Sequence, residues 1–244
     1  MFDAIAGRYD LLNHLLSAGL DRRWRRRVVD ELNLTGREVV LDLCTGTADL
    51  ALTAAGASGG RPLEAPGSPS SEKRARRVVG VDFSAEMLLV GRGKLSMAPV
   101  DLIRGDAAQI PLSAATVDAV TIGFGIRNVE QPLVACREIL RVLRHEGKLV
   151  VLEFSLPRSA VLRTFYLWYF RRVLPVVGRM ISRHPSAYSY LPESVEAFPS
   201  PDDFCGQLRR VGFGTVHAVP LTFGIVHMFV AVKNHAARPG AIIQ

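Results

Sequence analysis

The chain has 244 residues, of which 48% are hydrophobic, and is long enough to bury the core of one large α/β domain. Its three widely spaced cysteines, without a Cys-x-x-Cys pair, argue against a disulfide framework and against a zinc site. The net charge of +7 suits an anionic partner, such as nucleic acid or a membrane face, and equally suits a basic protein without any special partner.

The beginning of the chain lacks the basic stretch and apolar core of a signal peptide. No uncharged apolar run approaches the roughly 18 residues of a membrane-spanning helix. We therefore expect a cytoplasmic protein, and keep contact with the inner face of the membrane as an open alternative.

Residues 1–33 predict a helical cap. In its last helix, Trp24, Val28 and Leu32 share one face, and Asp21 is the candidate N-cap. The opposite face is rich in arginine, which we interpret as a solvated surface rather than a binding patch.

The stretch 39–50 predicts a buried parallel strand, a tight turn and a helix. Asp42 lies at the end of the strand, and Gly46 is the only glycine in the turn. A dinucleotide site would need more glycines, whereas an acid suits a ligand that carries positive charge. S-adenosylmethionine, with its ammonium and sulfonium groups, is such a ligand. A structural turn without a ligand is the alternative.

A second strand-end acid, Asp82, lies 40 positions after Asp42. Residues 56–77 are rich in Gly, Pro and Ser and predict a flexible insertion. Without this insertion the separation becomes 18, close to the spacing at which a second acid binds the ribose hydroxyls. Ser84 is the candidate cap of the helix that follows.

Three further strands are predicted along the chain. The first ends near Asp106, which could accept a hydrogen bond from an adenine amino group, and the second, 117–122, leads into Gly123. A helix at 130–144 with a C-cap at Gly147 precedes the third strand, 148–154. This alternation predicts a doubly wound, mostly parallel α/β sheet.

Residues 157–200 predict a helical lid and substrate region, with an apolar helical stretch at 159–182. That stretch suits buried packing, a cover for a greasy substrate, or a helix at a membrane interface. A helix at 201–211 and strands at 214–220 and 225–233 complete seven strands in one domain, 1–233. We expect a disordered tail at 234–244.

Several motifs together resemble the ubiquinone/menaquinone-biosynthesis C-methyltransferase family, within the class I S-adenosyl-L-methionine-dependent methyltransferases. The resemblance covers Phe2 to about Lys233. Its most specific motifs are Phe2-Asp3-Ala4-Ile5-Ala6-Gly7-Arg8-Tyr9-Asp10-Leu11-Leu12-Asn13, Asp21-Arg22-Arg23-Trp24-Arg25, Asp82-Phe83-Ser84, Gly123-Phe124-Gly125-Ile126-Arg127-Asn128-Val129, Leu152-Glu153-Phe154-Ser155 and Tyr188-Ser189-Tyr190-Leu191.

The resemblance implies a set of site residues. The catalytic candidates are Arg127, as the charge that stabilises a phenolate, Asn128, which would fix the ring, and Tyr188, in the substrate pocket. The implied cofactor-binding residues are Asp42, Gly46, Thr47, Asp82, Phe83, Asp106, Ala107 and Gly123.

The chain departs from the family pattern at a few positions. Ala48 stands where members usually keep glycine, Gly123 where some members have serine, and His227 where a small residue is common. None of these departures removes a strand-end acid, so we expect an active enzyme.

The implied reaction is C-methylation of a polyprenylated quinol ring. The turn sequence Cys-Thr-Gly-Thr favours demethylmenaquinol over the benzoquinol of the ubiquinone pathway. An RNA methyltransferase and a non-catalytic cofactor-binding subunit are the alternatives, although no Asn/Asp-Pro-Pro-Tyr/Phe turn follows the fourth strand. We expect a quinol and no nucleic acid as partner, and keep a homodimer open.

Overall fold

The computed structural model describes residues 19–57, 74–157 and 193–234, together with positions 14, 17, 159, 161, 163, 164 and 172. The predicted disordered tail, the centre of the insertion and most of the predicted lid therefore lie outside the described residues.

Seven strands form one sheet, as the sequence predicts. Along the chain they are β1 Val39–Leu43, β2 Arg77–Asp82, β3 Val100–Arg104, β4 Val117–Gly123, β5 Leu143–Phe154, β6 Phe213–Leu221 and β7 Val226–Lys233. Their order across the sheet is β3-β2-β1-β4-β5-β7-β6. The first five run parallel, whereas β7 is antiparallel to both of its neighbours. The carboxyl ends of β1 to β6 and the beginning of β7 thus share one edge of the sheet, called here the catalytic edge.

Helices cover both faces of the sheet, which makes the fold doubly wound. They are α1 Asp21–Leu32, α2 Asp49–Ala54, α3 Ala85–Arg92, α4 Pro132–Val142 and α5 Pro201–Val211. Trp24 and Val28 of α1 pack with Ala51 of α2 on one face. Ile139 of α4 and Phe204 of α5 pack on the other.

Two of the predicted helix caps are wrong. β5 begins at Leu143, five residues before Lys148, so the predicted C-cap at Gly147 is wrong. Gly147 lies inside β5, where an added Cβ would be 2.8 Å from the Arg144 carbonyl oxygen, so glycine meets a close backbone approach there. Asp21 is the first residue of α1 rather than its cap, and its carboxylate accepts from Arg25 and Ser17.

The predicted insertion is shorter than 56–77, because its first residues are hydrogen-bonded to the end of α2 and its last residue belongs to β2. The Ala75 amide donates to the Ala54 carbonyl oxygen at 2.8 Å, and Arg77 already begins β2. Residues 58–73 lie outside the described residues. Among the described helices, none combines the length and apolarity needed to cross a bilayer.

Candidate active site

The turn after β1 alternates between ordinary and left-handed backbone. Cys44, Gly46 and Ala48 have φ values of 55°, 55° and 67°. Only glycine adopts this region without cost, so Cys44 and Ala48 hold a conformation that L-residues disfavour by about 1 kcal/mol or more each. The glycine at position 125 leaves room for Cys44 in this conformation. A Cβ on Gly125 would lie 2.4 Å from the Cys44 Cβ, which is too close.

Asp42 stabilises this turn from the buried side. Its side chain is buried, and its two oxygens accept from the hydroxyls of Thr45 at 2.6 Å and Thr121 at 2.7 Å. Burial raises the pKa of Asp42 to about 6, although both hydroxyls act in the opposite direction. Burial also raises the pKa of the neighbouring Cys44 thiol well above its ordinary value, with Asp82 and Asp42 adding to the effect, so this cysteine is not a nucleophile.

Asp82 joins β2 to the same turn. One carboxylate oxygen accepts from the Gly46 amide at 2.7 Å, and the other accepts from the Ser84 amide at 2.9 Å. Ser84 caps α3 as predicted, since its hydroxyl oxygen accepts from the Met87 amide at 3.2 Å. The Asp82 carboxylate is thereby fixed at the catalytic edge.

A pocket of about 520 Å³ opens between the ends of β1, β2, β3 and β4. Among the residues that the structure describes, four carboxylates and one arginine line it, so this wall is acidic in a basic protein: Asp82, Glu86, Asp106, Glu130 and Arg104. Such a wall favours a cationic ligand and fits the sulfonium and ammonium of S-adenosylmethionine.

Most of the predicted cofactor residues meet in this pocket. Those in its wall are Gly46, Asp82, Phe83, Asp106, Ala107 and Gly123. Asp42 and Thr47, 1% and 3% exposed, lie beneath the turn instead, because their side chains are packed inside the fold. Direct ligand contact by these two stays a prediction, and the observed contacts of Asp42 support the turn.

The two residues of the Arg-Asn pair after β4 line different cavities. Asn128 lines the acidic pocket, whereas Arg127 lines a separate cleft next to α5. The Arg127 guanidinium donates from Nη1 to Glu153 at 2.5 Å and to the Phe124 carbonyl oxygen at 2.7 Å. Its Nε is buried without a hydrogen-bond partner among the described residues. Burial raises the pKa of Glu153, and the positive charge of Arg127 opposes that rise.

The third catalytic candidate, Tyr188, lies outside the described residues, so its role stays a prediction. Sequence reasoning missed two buried polar pairs at the catalytic edge: Arg127 with Glu153, and Ser155 with His227 at 2.5 Å. The two residues are 26 positions apart in the first pair and 72 in the second, and no local motif indicates such contacts. Glu153, a carboxylate directly after the apolar run 149–152 of β5, was the available signal for the first pair.

The ubiE/COQ5 methyltransferase family matches residues 1–233. The chain belongs to this family. It is 44% identical over 237 residues to the ubiquinone/menaquinone biosynthesis C-methyltransferase of Citrifermentans bemidjiense, covering 96% of this chain and 94% of that protein. It is 43% identical over 232 residues to the demethylmenaquinone methyltransferase of Thermus thermophilus, covering 94% and 98%.

The fold is also found among solved structures. A crystal structure of a SAM-dependent methyltransferase from Aquifex aeolicus covers 85% of this chain and 88% of its own, with a TM-score of 0.59 and 16% identity. This family member is therefore an S-adenosylmethionine-dependent C-methyltransferase with the class I fold, and the acidic pocket is the site whose chemistry fits that cofactor.

Proposed function

We propose that this family member C-methylates a polyprenylated quinol, with demethylmenaquinol as its substrate. The observation that carries the proposal is the acidic pocket at the catalytic edge of a chain 43% identical to a demethylmenaquinone methyltransferase. The benzoquinol of the ubiquinone pathway is the second candidate, because other relatives are named for both pathways.

When bound, S-adenosylmethionine supplies a methyl group on a sulfonium, which is a good leaving group. The chain's residues then mainly bind and orient. Asp82 is proposed to accept from the ribose hydroxyls, and Asp106 and Ala107 to border the adenine. Asn128 is proposed to hydrogen-bond a quinol oxygen, because it belongs to the wall of the same pocket.

Arg127 is proposed to act through its place in the turn. Its side chain is only 8% exposed, and its charge is paired with a fully buried Glu153. A paired arginine stabilises a phenolate less than an unpaired one would. The pair instead fixes residues 126–128, and so fixes Asn128 at the pocket.

The test uses purified protein and S-adenosylmethionine labelled on the methyl group. Three acceptors are compared: a reduced short-chain demethylmenaquinol, a reduced benzoquinol analogue, and RNA. We expect label on the naphthoquinol ring. Label on the benzoquinol alone would move the enzyme to the ubiquinone pathway. Label on RNA alone, or cofactor binding without transfer, would contradict the proposal.

We also propose that the protein touches an anionic membrane surface at the catalytic edge, where a polyprenylated substrate partitions. Phe223 supports this: it is 83% exposed and projects from a turn in which three successive residues have positive φ. The turn is anchored by the Trp24 indole, which donates to the Thr222 hydroxyl at 2.9 Å. Exposed aromatic rings at such tips suit the bilayer interface.

Helix α1 contacts this tip through Trp24 and adds charge. We propose that its arginine face, which the sequence alone favours as a solvated surface, is a binding surface. Four exposed arginines on its outer face have no ion-pair partner among the described residues: Arg22, Arg23, Arg26 and Arg27. Cationic side chains of this kind attract anionic lipid headgroups. The apolar stretch 159–182, which the sequence suggests for the same role, is not needed for this part of the proposal, and the homodimer stays a prediction.

Vesicle flotation tests the contact. We expect binding to vesicles that contain phosphatidylglycerol, and its loss when the four arginines are changed to glutamine. The matched control changes four exposed arginines elsewhere, Arg76, Arg92, Arg137 and Arg210, and removes the same charge. Equal loss in both variants would reduce the effect to net charge and contradict a specific surface.

A further inference from the structure

Phe124 has an unusual backbone conformation for a phenylalanine. It follows directly on β4, between Gly123 and Gly125, and has a φ of 57°. A bulky side chain in this left-handed region is an outlier that L-residues disfavour. Such outliers persist where the surrounding structure holds them, and they concentrate at functional sites. The conformation therefore indicates a functional role for Phe124.

Hydrogen bonds hold the Phe124 backbone in place. Its amide donates to the Leu152 carbonyl oxygen of β5 at 2.7 Å. Its own carbonyl oxygen accepts from Arg127 Nη1 at 2.7 Å and from Asn128 Nδ2 at 3.4 Å. The same Nη1 also donates to Glu153 at 2.5 Å. The buried pair of Arg127 and Glu153 thus fixes Phe124 as well as the residues that follow it.

Aromatic contacts order the Phe124 ring. The centroid of the Phe154 ring lies 4.5 Å from that of Phe124, with 31° between the two planes. The Trp24 ring of α1 lies 5.9 Å from Phe124, at 59°. Offset and tilted arrangements of this kind are the favourable ones for aromatic pairs. Because the ring is already ordered, a ligand that stacks on it does not have to immobilise it on binding.

The position of Phe124 places it on one side of the acidic pocket. It is half-buried and belongs to the pocket wall. Asp82 and Asp106, proposed to bind the ribose and to border the adenine, lie at the ends of β2 and β3. These strands are two and three positions from β4, which corresponds to about 10 and 14 Å across the sheet. Phe124 therefore lies away from the proposed nucleoside side, at the strand end that leads into Asn128.

A quinol is the ligand whose chemistry fits this ring. A quinol ring is flat, uncharged and electron-rich, and such rings stack on one another in offset or tilted geometry. The sulfonium of S-adenosylmethionine would also be attracted to an aromatic face. The four carboxylates of the same wall already favour that charge, whereas Phe124 with Phe154 and Trp24 provides an apolar aromatic surface.

We propose that Phe124 is a substrate-binding residue, on which the quinol ring stacks. Stacking sets the plane of the quinol ring, and the proposed hydrogen bond to Asn128 sets its rotation within that plane. Together the two contacts orient one ring carbon towards the methyl group that is transferred. This inference rests on the proposed quinol substrate.

The test compares Phe124→Leu with the wild-type enzyme. Leucine keeps an apolar side chain and removes the aromatic face. We expect the KM for a short-chain demethylmenaquinol to rise about three- to tenfold, which is the order of binding that aromatic stacking contributes. The Kd of S-adenosylmethionine, measured by calorimetry, should not change, because the acidic wall is left intact.

Two control variants separate stacking from structure. Phe124→Tyr keeps the ring and should keep the KM of wild type. Phe213→Leu removes a buried ring at the start of β6, on the opposite edge of the sheet, and should also leave KM unchanged. Equal rises of KM in Phe124→Leu and Phe124→Tyr would reduce the effect to the structure of the turn and overturn the proposal. An unchanged KM with a raised Kd of S-adenosylmethionine in Phe124→Leu would assign the ring to the sulfonium instead.

A further measurement uses the wild-type enzyme and does not depend on the folding of a variant. With ring-labelled phenylalanine, we expect nuclear Overhauser contacts between the naphthoquinol ring protons and one phenylalanine ring. That signal should be missing in Phe124→Tyr, which assigns it to Phe124. A bound quinol without this contact would overturn the proposal. Lack of turnover by wild-type enzyme on every quinol would contradict the proposed function on which the proposal rests.

Discussion

The two halves of the catalytic edge are built differently. At the ends of β1, β2 and β3, carboxylates are bound by backbone amides and hydroxyls, as Asp82 is by the amides of Gly46 and Ser84. At the ends of β4 and β5 and the beginning of β7, side chains bind one another, as Arg127 binds Glu153 and Ser155 binds His227. The first half leaves acidic groups towards a cationic cofactor. In the second half, the charge of Glu153 is neutralised by Arg127.

This difference indicates what each half is required to do. S-adenosylmethionine always carries the same positive charges, and a pocket wall of hydrogen-bonded carboxylates suits them. A quinol is neutral and largely apolar, and the half proposed to receive it has its charges paired and its rings packed, with the ring centroids of Phe124 and Phe154 4.5 Å apart. Four variants break or sharpen this comparison.

Glu153→Gln should give the largest effect, in the paired half. It leaves the buried Arg127 charge without its carboxylate, which costs about 3–5 kcal/mol in the free energy of unfolding. Urea denaturation measures this loss. Adding Arg127→Met to Glu153→Gln should recover part of it, because no buried charge is left alone. Stability equal to wild type in the single variant would show that the pair is not compensating charge.

Asp42→Asn probes the buried acid of the cofactor half. The folded pKa of Asp42, about 6, exceeds its ordinary value of 3.8, so the folded state holds this proton to higher pH. Protonation of Asp42 therefore contributes about 3 kcal/mol to the free energy of unfolding. This contribution is fully present below pH 3.8 and is lost as the pH rises through 6. Urea midpoints between pH 4 and 7 should fall more steeply for wild type than for Asp42→Asn. Parallel curves would contradict the raised pKa.

Asp82→Asn tests the acidic wall itself. The amide removes the charge and one of two accepting oxygens, which costs about 2–3 kcal/mol of binding, or roughly 30- to 150-fold in the Kd of S-adenosylmethionine. Calorimetry gives the Kd directly. Asp101→Asn, an exposed acid of β3 outside the pocket wall, is the control and should bind as wild type does.

Phe223→Asn should give the smallest effect, with the opposite sign. Phe223 has a φ of 58° and an exposed ring, so replacing it loses no packing and gains a residue that tolerates left-handed backbone. We expect a stability gain of about 1 kcal/mol or less. Leu89→Asn, at an exposed apolar position in the helix α3, should show no gain. Loss of vesicle binding together with gained stability would tie the strained tip to the membrane.

Much of the cofactor half is readable from the sequence. Asp42, Asp82 and Asp106 each follow an apolar run, and in a parallel sheet such ends meet at one edge. The mostly parallel sheet of seven strands and the family were predicted correctly, since the sheet depends on the alternation of strands and helices and the family on contiguous motifs.

The other half was harder to predict, because its contacts are not local. Arg127 was expected to face the substrate, but the carboxylate that holds it is 26 residues away on another strand. His227 was noticed only as a departure from the family pattern. Its contact with Ser155 joins residues 72 positions apart, and nothing in the sequence spacing indicates it.

The junction between α2 and β2 carries a consequence for how this enzyme can vary. Ala54 and Ala75 are hydrogen-bonded, and Asp42 is in register with Gly80 whatever number of residues separates them. Because the cost of closing a loop grows only with the logarithm of its length, evolution can lengthen, shorten or replace 58–73 at little cost. A protein engineer can use the same junction to install a reporter domain without displacing the cofactor.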